Sequence, residues 1–552
     1  MTTTVADYIA KFLIQKNVKH LFGYQGRAVL QIIDSIVGTK EIAYVQNFHE
    51  QASAFCACAY AAVRNDIGAA IATSGPGAVN LMGGIANAYC DSLPVLFITG
   101  QDYLERVTHN RDARLNGFQD LNVVRMVRPV TKYATLIGNP EAVRYELEKA
   151  YHIATSGRKG PVLLDIPIDI QSMEISEEHL DGFIPRKTTE DAFCAAGRCI
   201  REIKNAQKPV LLAGGGIRSA GCTDAFKRFV KKTGIPVVTT LNGIDAIDNV
   251  YGFSGLNGHP CCNKALMEAD LLLALGVRFG QRQIGKSIEG YTNAKIIRVE
   301  IDDSEIGRSF IKEDLVIRAD LKIFFEHINT YAFNTDFSDW HRQLTDWKAK
   351  FQNDVYPPAD TTDPVTFVRE MQQYYKDDTI VTTDVGANQL WVAQGYQQKN
   401  RQRFLTSSGL GIMGFSLPAA IGASYLAKNA VIAYTGDGGL QMNLQELNTL
   451  SIKRNNIKCI VFNNNTLGLV RAIQTKRFSS HYYGTTQSEF TCPDLRKLAD
   501  CFRLKYVNIR NREDFPKLKN VFADTEPWIV EVRVDTDSEP FSRGNEPSWQ
   551  GV

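Results

Sequence analysis

The sequence predicts an α/β chain built from three doubly wound parallel-sheet domains in series. Two observations predict it. Short apolar runs alternate with helical stretches along most of the 552 residues. Such runs mark parallel strands covered by helices on both faces. The first and last thirds also share one plan: strand, glycine-rich turn, helix, strand.

The runs are GAAIAT (68–73), PVLFITG (94–100), PVLLDI (161–166), PVLLAG (209–214), DLLLALG (270–276), KIIRVEI (295–301), TIVTTD (379–384), AVIAYTG (430–436) and KCIVFNN (458–464). Two polar, proline-bearing stretches, 172–191 and 353–364, read as linkers. They divide the chain into segments 1–175, 190–335 and 360–540. Residues 1–24 read as an amphipathic helix and a short strand, without the basic start and apolar core of a signal peptide.

Composition narrows the function classes. Hydrophobic residues make up 44%, charged residues 22%, and the formal net charge is +2. No charge excess points to nucleic acid or an acidic membrane. No apolar run approaches the ~20 residues of a membrane-spanning helix. A soluble, cytoplasmic protein is expected. Of the 11 cysteines, neither the Cys56/Cys58 pair nor the Cys261/Cys262 pair recurs at zinc-site spacing. Free, buried thiols are expected.

Segment 430–465 carries the most chemistry. A strand over 431–435 runs into Gly436-Asp437-Gly438-Gly439. Asn443 reads as a helix N-cap, with Glu446 three residues on in a capping-box variant. Leu444, Leu447 and Leu450 give that helix an apolar stripe. A second strand, 458–462, ends in Asn463-Asn464-Asn465. Two parallel strands so joined bring Asp437 and Asn464 to one sheet edge, where open α/β sheets bind ligands. One carboxylate, one amide oxygen and a nearby backbone carbonyl form half of a magnesium shell that phosphate oxygens complete. The glycines let backbone N–H groups approach those phosphates. Gly-Asp-Gly alone is a common turn. Its pairing with the asparagines, 27 residues on, is the specific feature.

This segment resembles the signature of the thiamine diphosphate (ThDP) enzymes. The resemblance implies magnesium bound by Asp437, Asn464 and the carbonyl of Thr466. It also implies an activating glutamate, matched by Glu50 in YVQNFHEQASAF, which follows a strand and opens an alanine-rich helix. An acid in a first helical turn also simply suits the helix dipole. Its context is the turn SGPGAVNL (74–81), whose Ser74, Pro76 and Asn80 face the cofactor in the family. There the glutamate serves a cofactor held by a second subunit, which implies a dimer at least, or a tetramer.

The matching stretches extend over nearly the whole chain and resemble most the acetohydroxyacid (acetolactate) synthase branch. They include TSGPGAVNLMGGIANAYCDSLPVLFITGQ, LTSSGLGIMGFSLPAAIGA and GDGGLQMNLQELNTL. The resemblance implies a pyrimidine-binding first domain, a central domain and a diphosphate-binding third domain. In Leu-Gly-X-Met-Gly it implies that Met413 bends the cofactor and the Gly411 carbonyl accepts its amine, although a methionine also serves as core filling. Gly386, Gly436, Gly438, Gly439 and Gly468 join the cofactor-binding set. Phe118 and Gln119 match the pair lining the reaction pocket, and Arg282 matches an arginine that holds an acceptor carboxylate.

Three features depart from the branch. Arg27 stands where it has glycine; a cation there suits a substrate carboxylate or phosphate, or fills space the usual substrate needs. Ile473 replaces an acceptor-gating tryptophan. Ala387-Asn388 replaces a Gln-His pair near the diphosphate. The middle segment resembles the domain that carries FAD in the synthases and is flavin-free in some relatives; Arg158, Gly214, Gly215 and Arg278 are its candidate contacts.

The resulting expectation is a ThDP- and magnesium-dependent carboligase. It would decarboxylate a 2-keto acid, pyruvate, and transfer the two-carbon carbanion to a second carbonyl, a keto acid or keto-sugar. Its rivals are a decarboxylase or C–C lyase on the same cofactor and a non-catalytic scaffold. No G-x-G-x-x-G with an acid ~20 residues on follows a strand, which argues against a Rossmann dehydrogenase.

Overall fold

The computed structural model describes residues 2–109, 113–185, 193–248, 250–285, 290–307, 312–351 and 360–540. The predicted linkers 172–191 and 353–364 lie partly outside them.

All nine predicted runs form strands, and all pair in parallel. Their burial explains their composition: Gly68–Ala72, Pro209–Ala213 and Leu271–Leu275 are buried at every position. The first sheet runs, edge to edge, Ala43–Gln46, His20–Tyr24, Gly68–Ala72, Val95–Gln101, Val162–Pro167, Tyr133–Leu136. The last runs Arg403–Thr406, Ile380–Thr383, Val431–Gly436, Ile457–Asn463, Trp528–Arg533, Lys505–Ile509. In chain order both read 2-1-3-4-6-5, so the shared plan extends to the whole topology. Each reverses direction between its first and third strands, the switch point where such sheets bind ligands. The middle sheet has five strands, with Pro209–Ala213 and Leu271–Leu275 at its centre.

Two predictions need correction. The start of the 172–191 stretch is not a free linker, because Glu174–Ser176 pairs antiparallel with Thr2–Thr4. Asn443 is not an N-cap. The segment 437–453 breaks into two helices, Asp437–Met442 and Glu446–Lys453, and Asn443 ends the first. Its side chain turns away to donate to the Gly414 carbonyl at 2.9 Å. Leu447 and Leu450 are buried as the apolar stripe requires.

The first and third units share one core. Helix Glu50–Arg64 lies against helix Ser416–Ser424. Both are rich in alanine, and a Cβ at Gly422 would stand 2.6 Å from the Cys56 Cα. Small residues therefore let the two backbones touch. The cysteines described are free, most of them buried. Among the described residues no helix is long and apolar enough to cross a membrane.

Candidate functional site

Four turns meet at the switch point of the last sheet. Gly436 ends its strand opposite Phe462, and Asp437 opens a helix directly after it. The Asp437 carboxylate accepts the Gly438 N–H at 2.8 Å through Oδ1, while Oδ2 is buried without a partner. The backbone N–H groups of Asn465 and Thr466 face the same carboxylate. Burial nevertheless pushes its pKa up to about 7. Asn464 and Thr466 are buried in that facing turn. A Cβ at Gly468 would lie 3.0 Å from Asn464 Nδ2 and 3.5 Å from Ala387. Gly386 sits at φ +139°, which favours glycine, and its vacant Cβ position is 2.8 Å from Asn388 Oδ1. Asn388 Nδ2 is a buried donor without a partner. An orphaned buried carboxylate oxygen and an orphaned N–H, together on glycine-lined turns, fit a cation and an anion side by side.

The fourth turn carries Met413. Its Cε lies 3.4 Å from the vacant Cβ position of Gly438, over the start of the Asp437 helix. Gly411 precedes it at φ +75°. Asp384, at the end of the neighbouring strand, fixes this turn: it accepts the Gly414 N–H at 2.8 Å and the Thr435 hydroxyl at 3.2 Å. Burial raises its pKa to about 6. Asp384 was not among the predicted site residues. It stands at a strand end, as Asp437 does, and that position was the available signal.

The first sheet brings a second group to its own switch point. Glu50 is buried at the start of its helix, and Asn80 Nδ2 donates to its Oε2 at 2.9 Å. Its Oε1 stands 3.1 Å from the vacant Cβ position of Gly77. Pro76 opens helix Pro76–Asn80, and Ser74 is buried just before it. Gln119, at φ +64°, packs on Gly75, with its Cβ 2.7 Å from that glycine's vacant Cβ position. Phe118 beside it is 66% exposed. Gly26 packs on Thr73, while Arg27 is exposed and lies 5.9 Å from the Tyr103 ring centre. Glu50, Asn80, Gln119 and Arg27 thus gather at one sheet edge, and Met413, Asp437 and Asn464 at another. Ile473 is exposed on helix Gly468–Arg477, beyond the Asn464 turn.

Arg282 reaches from the middle unit to the third, where its Nη2 donates to Gln389 Oε1 at 2.7 Å. Gln389 follows Asn388 in one helix. A cavity of about 670 Å³ opens beside Arg282, among all three units. Gly215, Arg278 and Arg158 line it. Arg158 is held by Asp302 at 2.8 Å and Glu305 at 2.9 Å. Gly214 serves packing instead, because a Cβ there would strike Gly276.

Three parallel α/β sheets in series, the outer two alike in topology and each presenting polar turns at its switch point, define the class of the ThDP-dependent enzymes. Residues 3–125, 197–328 and 384–532 match, in turn, the N-terminal TPP binding domain, the central domain and the C-terminal TPP binding domain of thiamine pyrophosphate (TPP) enzymes. The chain is 34% identical to the acetolactate synthase large subunit of Lactococcus lactis subsp. lactis, over 96% of this chain and 92% of that one. It is also 34% identical to the probable acetolactate synthase large subunit of Methanocaldococcus jannaschii, with the same shares covered. Identity to the chloroplastic acetolactate synthase 1 of Oryza sativa subsp. japonica is 33%, over 96% of this chain and 84% of that one. The chain belongs to the thiamine pyrophosphate enzyme family, in its acetolactate synthase-like branch.

Proposed function

We propose that the chain is a ThDP- and magnesium-dependent carboligase that decarboxylates pyruvate and transfers the two-carbon carbanion to a second carbonyl compound. The observation that carries this reading is the Asp437 carboxylate, buried with one oxygen unpartnered beneath Met413 and facing the 464–466 turn. A magnesium ion held by Asp437, the Asn464 side-chain oxygen and the Thr466 carbonyl supplies the missing partner. Bound there, ThDP supplies the electron sink for the carbanion left when a 2-keto acid loses carbon dioxide.

The chain's own residues supply the rest. The glycine turns and the free Nδ2 of Asn388 donate to the diphosphate. Met413, over the Gly438 turn, would support the cofactor from one side. Asn80 orients one oxygen of Glu50, which leaves the other to take and return a proton at the pyrimidine nitrogen. Gln119 and Arg282 orient the substrates. Arg27, Phe118 and Ile473 line the acceptor side, where an exposed cation suits a keto acid or an anionic keto-sugar. The Glu50 and Asp437 groups work across a subunit pair. The three-unit cavity, edged by Gly215, takes a dinucleotide such as FAD. The free, buried thiols suit the reducing cytoplasm.

Product analysis with pyruvate tests the reaction. An acyloin or acetohydroxy acid is expected; acetaldehyde alone would replace the carboligase by a decarboxylase. Glu50→Gln should stop turnover while ThDP still binds, and unchanged turnover would remove Glu50 from the chemistry. A flavin absorption band in the purified protein checks the FAD assignment.

A further inference from the structure

We propose that Glu446 is a positioning residue for Glu50: it anchors the backbone two residues ahead of that glutamate, from a helix of a different unit. The proposal rests on the activating role given to Glu50 above.

Glu446 is fully buried at the start of helix Glu446–Lys453. Its Oε1 accepts the Phe48 backbone N–H at 2.8 Å. Its Oε2 accepts Asn47 Nδ2 at 2.9 Å and the Thr449 hydroxyl at 2.7 Å. The link from strand Ala43–Gln46 to Glu50 is three residues long, and each is held. The Asn47 N–H donates to the Gly23 carbonyl at 3.0 Å, and the His49 side chain accepts the Gln51 N–H at 3.1 Å. The anchors on the Phe48 N–H and on the Asn47 side chain both come from outside the first unit, and both end on Glu446. A carboxylate that accepts three hydrogen bonds in a dry site fixes its donors firmly, because no water stands ready to replace it.

Glu446 also lies in the segment that begins at Asp437, joined to it through Asn443, whose carbonyl accepts the Glu446 N–H at 3.0 Å. One chain therefore ties the turn that holds the metal to the turn that aims the activating carboxylate. Losing this tie leaves Glu50 in place but free to wander, and small misplacements of a reacting group are costly in rate.

The test compares Glu446→Ala, Glu446→Gln, Glu50→Gln and the double variant Glu50→Gln/Glu446→Ala in the full chain. In the cofactor-free protein, hydrogen exchange should speed up at the Phe48 amide in Glu446→Ala and stay unchanged at the Gly438 amide. With ThDP and magnesium saturating, exchange of the thiazolium C2 proton should slow by about ten- to a hundredfold, while cofactor affinity holds within about threefold. Glu446→Gln should recover most of the rate. Its amide oxygen can accept the Phe48 N–H, and the unpartnered Asn47 Oδ1 can turn to meet its NH₂. The double variant should be no slower than Glu50→Gln alone, since Glu446 acts only through Glu50.

Wild-type C2 exchange in Glu446→Ala, a loss of affinity in step with the rate, or additive slowing in the double variant would each overturn the proposal. Should Glu50→Gln itself leave C2 exchange unchanged, the role of Glu50 falls instead. The Phe48 amide then still decides whether Glu446 holds the turn.

Discussion

Asp437 Oδ2 is buried without a hydrogen-bond partner. A buried carboxylate oxygen without a partner destabilises the folded chain, by about 1–3 kcal/mol for an unsatisfied polar group. Asp437→Ala should therefore leave the cofactor-free protein as stable as the parent or more so, in thermal melts. The same change should weaken magnesium-dependent ThDP binding by at least about a hundredfold, measured by titration calorimetry. A fall in both stability and affinity would mean that Asp437 is a structural residue. Asp437 and Asn464 could be singled out as candidates in the sequence because each follows its own strand, as the structure has them, and the pair has a telling separation. Asp384 was not singled out, and Glu446 was read only as part of a helix cap, for a physical reason: the partners that matter are remote in the chain. Glu446 meets Phe48 across 398 positions, and no local pattern encodes such a contact. The capping-box reading of Asn443 and Glu446 failed for the same cause. Both side chains are drawn off the local helix, to Gly414 and to Phe48.

Helices and strands place these residues, and their packing sets what the site tolerates. Helices Glu50–Arg64 and Ser416–Ser424 touch backbone to backbone at Gly422. Gly422→Ala should push them apart at a cost of about 1–3 kcal/mol, the usual range for overpacking. A drop in melting temperature together with slower turnover is expected, since one helix begins at Glu50 and the other follows Met413. The strands were legible because buried parallel strands are written in continuous apolar residues. Tyr133–Leu136 and Lys505–Ile509 are half-buried edge strands and lack that mark. A charged residue inside a strand predicts something further. Asp165 of Val162–Pro167 is fully enclosed, and burial raises its pKa to about 7 despite donors from Thr99 at 2.7 Å and Gln101 at 3.0 Å. A carboxyl whose pKa is higher folded than unfolded favours folding while protonated. Its contribution is complete below the unfolded pKa near 4 and disappears as pH rises through about 7. The wild-type melting temperature should fall between about pH 5 and pH 8 by more than that of Asp165→Asn, which has no such proton to lose. Parallel pH profiles would place the titrating group elsewhere.

At the scale of the molecule, the proposed function divides one chemistry between the two switch points. The first sheet offers Glu50 with Gln119; the third offers Asp437 with Met413. Apolar side chains stand exposed beside both: Val79 and Phe118 near the first, Met442, Val470 and Ile473 near the third. Exposed apolar residues so grouped suit a surface that a second copy covers. Each active site would then combine the Glu50 edge of one chain with the Asp437 edge of another. This arrangement makes a prediction that neither single variant can. Glu50→Gln and Asp437→Ala chains should each be inactive alone. Unfolded together and refolded, they form mixed dimers in which one site receives Asp437 from the first variant and Glu50 from the second. Both residues in that site are intact, and the other site is doubly defective. With random pairing, half of the dimers are mixed and one site in each works. The mixture should recover about a quarter of wild-type activity per chain. If both halves came from the same chain, no site in any mixture would hold both residues, and the refolded mixture would stay inactive. A recovery that scales with the product of the two chain fractions would therefore establish that the carboxylate and the metal turn meet across a subunit boundary.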